Sequence, residues 1–124
     1  VLTFGTPGNL NVVYSTQEAS YTKIGRQVTI RFIIVTSTFT HTTASGNLTV
    51  TGLPFTVSGN SWGTWVWSGI TKANYTQVVP FAVTATTQMQ AQASGSGQTF
   101  SAVAFGDMPT GGTVVLAGTL TYFV

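Results

Sequence analysis

Apolar and polar residues alternate one by one along most of this chain, which is the period of a β-strand. The clearest case is Gln27–Thr38, in which every second residue from Val28 to Ile34 is apolar. Successive side chains of a strand point to opposite faces, so this face is expected to lie in the core. No stretch of useful length repeats its apolar residues with the spacing of a helix.

Gly, Pro, Asn and Ser interrupt the alternation about every eight to twelve residues, a spacing typical of sandwiches and barrels. The segments between them are rich in β-branched and aromatic residues, which suit a pleated sheet. The predicted strands are Leu2–Phe4, Leu10–Thr16, Ser20–Ile24, Gln27–Thr38, Asn47–Thr51, Ser61–Ser68, Tyr75–Thr84, Gln88–Ala93, Phe100–Phe105 and Thr113–Val124. We therefore predict an all-β fold, an antiparallel, jelly-roll-like β-sandwich of about eight to ten strands.

The second face of Gln27–Thr38 is unusually apolar for a strand that faces water on one side. It carries Ile33 and Val35 beside Arg31, and the outer face of the last strand carries Phe123 in the same way. A half-solvated strand would be polar at these positions. Burial on both faces of so small a chain requires a neighbouring subunit or a loop laid over the sheet. We expect the neighbour and assign Arg31, Ile33, Val35 and Phe123 to a subunit interface.

The length of 124 residues suits one domain, so residues 1–124 are expected to form a single sandwich. The chain begins at Val1 rather than Met and ends in a predicted strand, which favours the C-terminal domain of a longer protein.

Charged residues make up 5% of the chain, against roughly 25% in a typical domain. With a net charge of +2 and no run of Lys or Arg, the chain lacks the electrostatic pattern of a nucleic-acid partner. It also lacks an apolar run long enough to insert into a membrane. The absence of cysteine excludes disulfides and thiolate metal sites, and we expect no metal or other cofactor.

Acids and bases that could catalyse a reaction are scarce. The only carboxylates are Glu18 and Asp107, and no feature of the sequence brings them together as a glycosidase pair. The single histidine, His41, stands among threonines without evident partners and is expected to be an exposed residue near a strand end. We therefore predict no catalytic residue, and an enzyme domain upstream in a longer protein is compatible with this prediction.

Three tryptophans, Trp62, Trp65 and Trp67, fall within six residues of one another. On one continuous strand, Trp65 and Trp67 would share a face, and Trp62 would lie on the other with Val66. The group fits an aromatic core, a subunit interface or a platform on which a sugar ring stacks. Trp62, beside the Gly59-Asn60 turn, is the member expected to be exposed and to contact a glycan.

The segment Gln88–Ala93 places Gln88, Gln90 and Gln92 on one strand face and small apolar residues on the other. A row of amides offers donors and acceptors on a rigid element, as sugar recognition requires. A solvated strand face and a water-filled seam between subunits would have the same pattern. We name Gln88, Gln90 and Gln92 as candidate glycan contacts with Trp62.

Three segments of the chain carry a resemblance to a known family. Tyr21–Ile30 has a Tyr-x-Lys-x-Gly turn that leads into a long strand, and Ala44–Val50 precedes the corner at Gly52–Phe55. These features resemble the C-terminal domains of bacteriophage tail-fibre and tailspike proteins. The likeness covers roughly residues 14–57, and the rest of the chain shares only the general texture of such domains.

This resemblance implies a jelly-roll-like sandwich that assembles as a homotrimer at the fibre tip of the virion, outside the cell. The interface assigned above would then join three copies, and the expected ligand is a host-surface glycan.

Two other functions stay open. One is a structural jelly-roll subunit of a capsid or head decoration, although Val1–Asn11 has no basic arm for packaging nucleic acid. The other is a carbohydrate-binding module of a polysaccharide-degrading enzyme, which would be a monomer.

Overall fold

The computed structural model describes every residue from Val1 to Val124 and contains ten β-strands. They are β1 Leu2–Thr6, β2 Asn11–Ile24, β3 Gln27–Thr40, β4 Ser45–Thr51, β5 Ser61–Trp62, β6 Thr64–Ser68, β7 Gln77–Ala82, β8 Gln88–Ser94, β9 Ser101–Ala102 and β10 Val115–Phe123. The only helical element is a 3₁₀ turn at Phe105–Asp107, and no helix could span a membrane.

The strands form two antiparallel sheets that pack face to face. Sheet A has the order β1-β4-β8-β7-β5, with β9 beside the second half of β8, and sheet B has the order β2-β3-β10-β6. The chain passes repeatedly from one sheet to the other, as it does between β1 and β2 and between β3 and β4. This arrangement confirms the predicted antiparallel β-sandwich.

The core lies between the two sheets and contains 24 buried apolar residues. The inner face of β3 supplies Val28, Ile30, Phe32 and Ile34, as the alternation predicts, and each is at most 6% exposed. The inner face of β10 supplies Leu116, Leu120 and Tyr122. Burying a side chain of this size contributes about 1.5–3 kcal/mol to the free energy of folding.

Gly118 allows two large aromatic residues to meet above β10. It lies opposite Phe32 of β3 on one side and opposite Trp65 of β6 on the other. The two rings pack edge to face over it, with centroids 6.0 Å apart and an interplanar angle of 82°. A Cβ at Gly118 would overlap the backbone of Thr64 and Trp65, so this position requires glycine.

The tryptophan-rich segment is not the single strand Ser61–Ser68 of the prediction. Ser61 and Trp62 pair with β7 in sheet A, whereas Thr64–Ser68 pair with β10 in sheet B. The chain crosses between the sheets at Gly63, where a Cβ would overlap the carbonyl oxygen of Thr119. Trp62 therefore does not share a face with Val66, because the two residues lie on opposite outer faces of the sandwich.

Two further expectations are corrected by the structure. The predicted strands Leu10–Thr16 and Ser20–Ile24 are one strand, β2, whose pairing with β3 is irregular only around Tyr14. His41 is buried rather than exposed, at 5% exposure, and lies against the rings of Phe4 and Phe39. A short imidazole fits this aromatic pocket, although its Nε2 atom has no hydrogen-bond partner.

Candidate ligand-binding face

The outer face of sheet A carries a line of side chains at one level across five strands. The pairing registers place Trp62 of β5 beside Phe81, Phe81 beside Gln90, Gln90 beside Thr49, and Thr49 beside Thr3. We call these five residues the transverse row. Their neighbours along the strands, such as Leu2, Val50 and Met89, point into the core, and within the row Phe81 and Thr49 are only 9% and 6% exposed. Adjacent strands lie about 4.8 Å apart, so the row spans about 19 Å.

Trp62 forms one end of the row and is held in a fixed orientation. Its ring packs on Phe81, with centroids 5.0 Å apart and planes inclined by 31°. Its Nε1–H donates a hydrogen bond of 3.0 Å to Oε1 of Gln92. With these contacts made, 54% of the Trp62 surface still faces solvent. An indole that is both exposed and immobilised is a platform on which an apolar ligand surface can stack.

Gln92 lies beneath this platform and is only 9% exposed. Because its carbonyl oxygen accepts from the indole, Gln92 holds Trp62 rather than extending towards a ligand. The indole N–H is used within the protein, so Trp62 offers its ring face and not a hydrogen-bond donor. Among the glutamines predicted as ligand contacts, only Gln88 and Gln90 keep side-chain amides without a partner in the chain.

A polar groove of about 300 Å³ occupies the other end of the transverse row. It is lined by Thr3, Phe4, Gly5, Asn47, Thr49, Gln88 and Gln90. The side-chain amides of Asn47, Gln88 and Gln90 make no hydrogen bond to the rest of the chain, in contrast to that of Gln92. Each amide can donate and accept, so the groove offers three unused donor–acceptor pairs.

None of the six charged side chains contributes to the groove. Glu18, Lys23 and Arg31 lie on the strands of sheet B. Lys72 and Asp107 neutralise each other in a half-buried ion pair of 2.8 Å, and the same carboxylate accepts from the N–H of Ala104. The recognition chemistry of the groove is therefore that of amides and hydroxyls.

A larger cleft lies elsewhere, at the open edge of the sandwich between β2 and the Gly52-Leu53-Pro54 corner. Its volume is about 490 Å³, and nine of its fifteen lining residues are apolar. Several of them, including Phe32 and Met89, are core residues, so the cleft is a gap between the sheets. We favour the smaller groove as the ligand site because selective recognition needs positioned polar groups beside an apolar surface.

The residues predicted for a subunit interface all lie on the outer face of sheet B. Ile33 and Val35 stand opposite Ala117 and Val115 of β10. With Val66 of β6 they form a cluster that we call the outer apolar patch, which consists of Ile33, Val35, Val66, Val115 and Ala117. Val66 is 73% exposed, and the other four are only partly buried, so the chain itself does not cover the patch.

Arg31 and Phe123 extend this surface in one direction. Arg31 is exposed at the border of the outer apolar patch, opposite Thr119. Phe123 is 50% exposed and lies six residues beyond Ala117 along β10, which is about 20 Å. The four predicted residues thus share one face, but Phe123 does not contact the others.

The structure assembles no cluster of three or more His, Cys, Asp or Glu side chains that could hold a metal ion. Glu18 is exposed on β2, the edge strand of sheet B, whereas Asp107 pairs with Lys72 at the 3₁₀ turn. His41 is enclosed by aromatic rings.

Four residues of the candidate face were not predicted from the sequence: Thr3, Asn47, Thr49 and Phe81. Each looks like an ordinary strand residue, and only the strand order β1-β4-β8-β7-β5 brings them beside Trp62 and Gln90. Alternation within each strand could have shown that they point away from the core. It could not have shown which strands are neighbours.

Comparison with models of protein families, with curated proteins and with solved structures finds no match to this chain. The likeness of Tyr21–Ile30 and Gly52–Phe55 to phage tail-fibre domains accordingly stays a prediction. The function must therefore be argued from the two outer faces of the sandwich.

Proposed function

We propose that this protein is a non-enzymatic attachment domain of a phage tail fibre or tailspike. In this proposal the outer face of sheet A binds a glycan of the host surface, and the outer face of sheet B joins three copies. The observation that carries the proposal is Trp62, which is fixed on Phe81 and Gln92 and is still more than half exposed.

The chemistry of the sheet A face suits a sugar better than a protein partner. Pyranose rings have apolar faces that stack on an indole, while their hydroxyls exchange hydrogen bonds with amides. The exposed ring of Trp62 and the unused amides of Gln88 and Gln90 lie on the same face and supply both kinds of contact. A protein interface would instead favour a broad apolar centre, which this face lacks.

The outer apolar patch supports assembly of several copies. Obligate interfaces resemble a domain core that has been cut in half, and Ile33, Val35 and Val66 form such a surface on a chain with very little charge. The patch lies on the opposite side of the sandwich from Trp62. Assembly through sheet B would therefore leave every glycan site open.

Weak binding by a single site is compatible with attachment. One ring stack and a few amide hydrogen bonds correspond to a dissociation constant in the millimolar range, or about −4 kcal/mol. Three sites on one trimer, and several fibres on one particle, raise the overall affinity without any additional contact. Attachment of this kind is reversible at first contact, as a particle searching a cell surface requires.

A carbohydrate-binding module of a secreted enzyme would use the sheet A face in the same way but would be a monomer. Two measurements therefore test the proposal together. Light scattering of the unmodified protein should give three times the mass of 13.0 kDa at micromolar concentration. Glycan-array binding should be lost in Trp62→Ala and retained in Tyr21→Ala, which removes an aromatic residue of equal exposure, 55%, from β2.

A monomer would contradict the assembly half of this proposal. Glycan binding that is equally strong in Trp62→Ala would contradict the attachment half. Circular dichroism of both variants checks that a loss of binding does not come from unfolding.

A further inference from the structure

We infer that the ligand of sheet A is an uncharged oligosaccharide of several units that lies across the strands, along the transverse row. This inference rests on the proposed function and specifies its ligand. It follows from three features of the face: its lack of charge, the distance between its two contact regions, and the unused amides of the groove.

The lack of charge argues against acidic sugars. Proteins that select carboxylated or sulfated sugars are expected to place Arg or Lys against the anion, because charge-assisted hydrogen bonds are about twice as strong as neutral ones. No Lys or Arg lines the groove, and Lys72 is already paired with Asp107. A bound carboxylate would lose part of its hydration and gain no cation in return. Neutral hydroxyl groups carry no such penalty.

The separation of the contact regions determines the length of the ligand. Trp62 lies at one end of the transverse row, and the groove lies between β1 and β8 at the other. Phe81 is only 9% exposed, so the stretch nearest the indole offers packing but few polar atoms. The groove begins at Gln90, two strands or about 10 Å from Trp62, and ends near Thr3, about 19 Å from it, so a single sugar ring reaches one region only. A chain of several rings reaches both.

The groove contributes the polar half of recognition. Sugar hydroxyls donate and accept, and so do the free amides of Asn47, Gln88 and Gln90. A cleft of about 300 Å³ is within the usual range for small-ligand sites. Stacking on Trp62 tolerates many sugars, so selectivity among neutral glycans would come from the groove.

The test is a titration of the unmodified protein with neutral homo-oligosaccharides of one to six units, beside uronic-acid and sulfated chains of the same lengths. Affinity should rise at least tenfold from one unit to four and then level off. Acidic chains of equal length should bind at least tenfold more weakly. Gln90→Ala should weaken binding of the four-unit chain severalfold and leave the single sugar almost unchanged.

A cation introduced into the groove provides the matched control. Gln88→Arg should shift selectivity from neutral towards acidic chains, because it adds the missing charge without altering Trp62. If acidic chains bind the unmodified protein better and Trp62→Ala abolishes that binding, the proposed function stands and this inference is wrong. If no chain binds in a way that depends on Trp62, both are wrong.

Discussion

Trp62 and Trp65 lie three residues apart but have different environments. Trp62 is exposed and presents its ring, whereas Trp65 is packed against Phe32 and donates its Nε1–H to the carbonyl oxygen of Val78 at 2.8 Å. The difference comes from Gly63, which sends the chain from sheet A to sheet B between them. Residue type alone therefore does not predict the role of an aromatic side chain here.

Replacing each tryptophan by alanine should separate the two roles. Trp65→Ala is expected to lower the free energy of unfolding by about 3–5 kcal/mol, because it opens a cavity beneath β10. Trp62→Ala should cost less, about 1–2 kcal/mol, because it removes the contact with Phe81 and the hydrogen bond to Gln92 but opens no closed cavity at a side chain that is 54% exposed. Urea denaturation of the two variants measures both values. Similar losses would contradict the assignment of Trp62 to the surface.

The buried phenol of Tyr122 is expected to make the free energy of unfolding depend on pH above about 10. Burial raises the pKa of this phenol above its ordinary value of 10.0, and the backbone of Phe55 opposes the shift more weakly. The unfolded chain therefore releases the proton at a lower pH than the folded chain. Stability should be unaffected by this residue well below pH 10 and should fall as the pH rises from 10 towards the higher folded pKa.

In the variant Tyr122→Phe, the free energy of unfolding should fall less between pH 8 and pH 10.5 than in the unmodified protein. The substitution should cost little at neutral pH, because the hydroxyl is buried without a hydrogen-bond partner of good geometry. Denaturant midpoints of both proteins at pH 8 and near pH 10.5 test the point. An equal alkaline loss in both would show that another group is responsible.

At the scale of elements, alternation predicted the inner faces of β3 and β10 because two-residue periodicity is a property of a single strand. It did not predict the division of Ser61–Ser68, since the crossing depends on a close approach of Gly63 to Thr119 in another element. His41 was expected at the surface because its sequence neighbours are threonines, and the aromatic pocket formed from β1 and β3 cannot be seen in the local sequence.

Gly118 of β10 lies between β3 and β6, so its replacement should disturb the packing of all three strands. Gly118→Ala is expected to destabilise the fold by about 1–3 kcal/mol, because a methyl group there overlaps the backbone of β6 and displaces Trp65 from Phe32. Gly111→Ala is the control, since nothing lies within 4 Å of a Cβ at that position. Thermal unfolding of both variants measures the effect, and equal melting temperatures would contradict the role assigned to Gly118.

At the scale of the whole molecule, the sandwich presents two unlike faces. Sheet A carries Trp62 and a polar groove, and sheet B carries the outer apolar patch. The sequence indicates Trp62 and the three glutamines Gln88, Gln90 and Gln92 as candidate contacts. It does not indicate that Trp62 and these glutamines lie on the same face of the sandwich. Phe81 and Gln90 lie on consecutive strands, but the other neighbours in the transverse row come from strands far apart in the chain, and strand order is a property of the whole fold.

Assembly should depend on the outer apolar patch. Ile33→Asp is expected to yield monomers, because it would place an unpaired charge in the interface proposed for sheet B. The monomer should remain folded, since Ile33 is only partly buried within its own chain. Gln77→Asp, on an exposed position of sheet A, should leave the mass unchanged. Sedimentation of the three proteins measures this, and a trimer that survives Ile33→Asp would place the interface elsewhere.

Phe123→Asp then shows how far the interface extends. Its position about 20 Å along β10 from the patch makes it an independent probe of the same face. Dissociation in both variants is expected if the whole face of sheet B is covered in the trimer.

One titration distinguishes the roles proposed for the two faces of the sandwich. Backbone amide and indole NMR signals of the protein are followed as a neutral four-unit oligosaccharide is added to millimolar concentration. If sheet A binds the glycan, signals of the Trp62 indole and of Thr3, Thr49, Gln88 and Gln90 should shift, and those of Ile33 and Val66 should not. Shifts confined to Ile33, Val66 and their neighbours on sheet B, with Trp62 unaffected, would contradict this assignment.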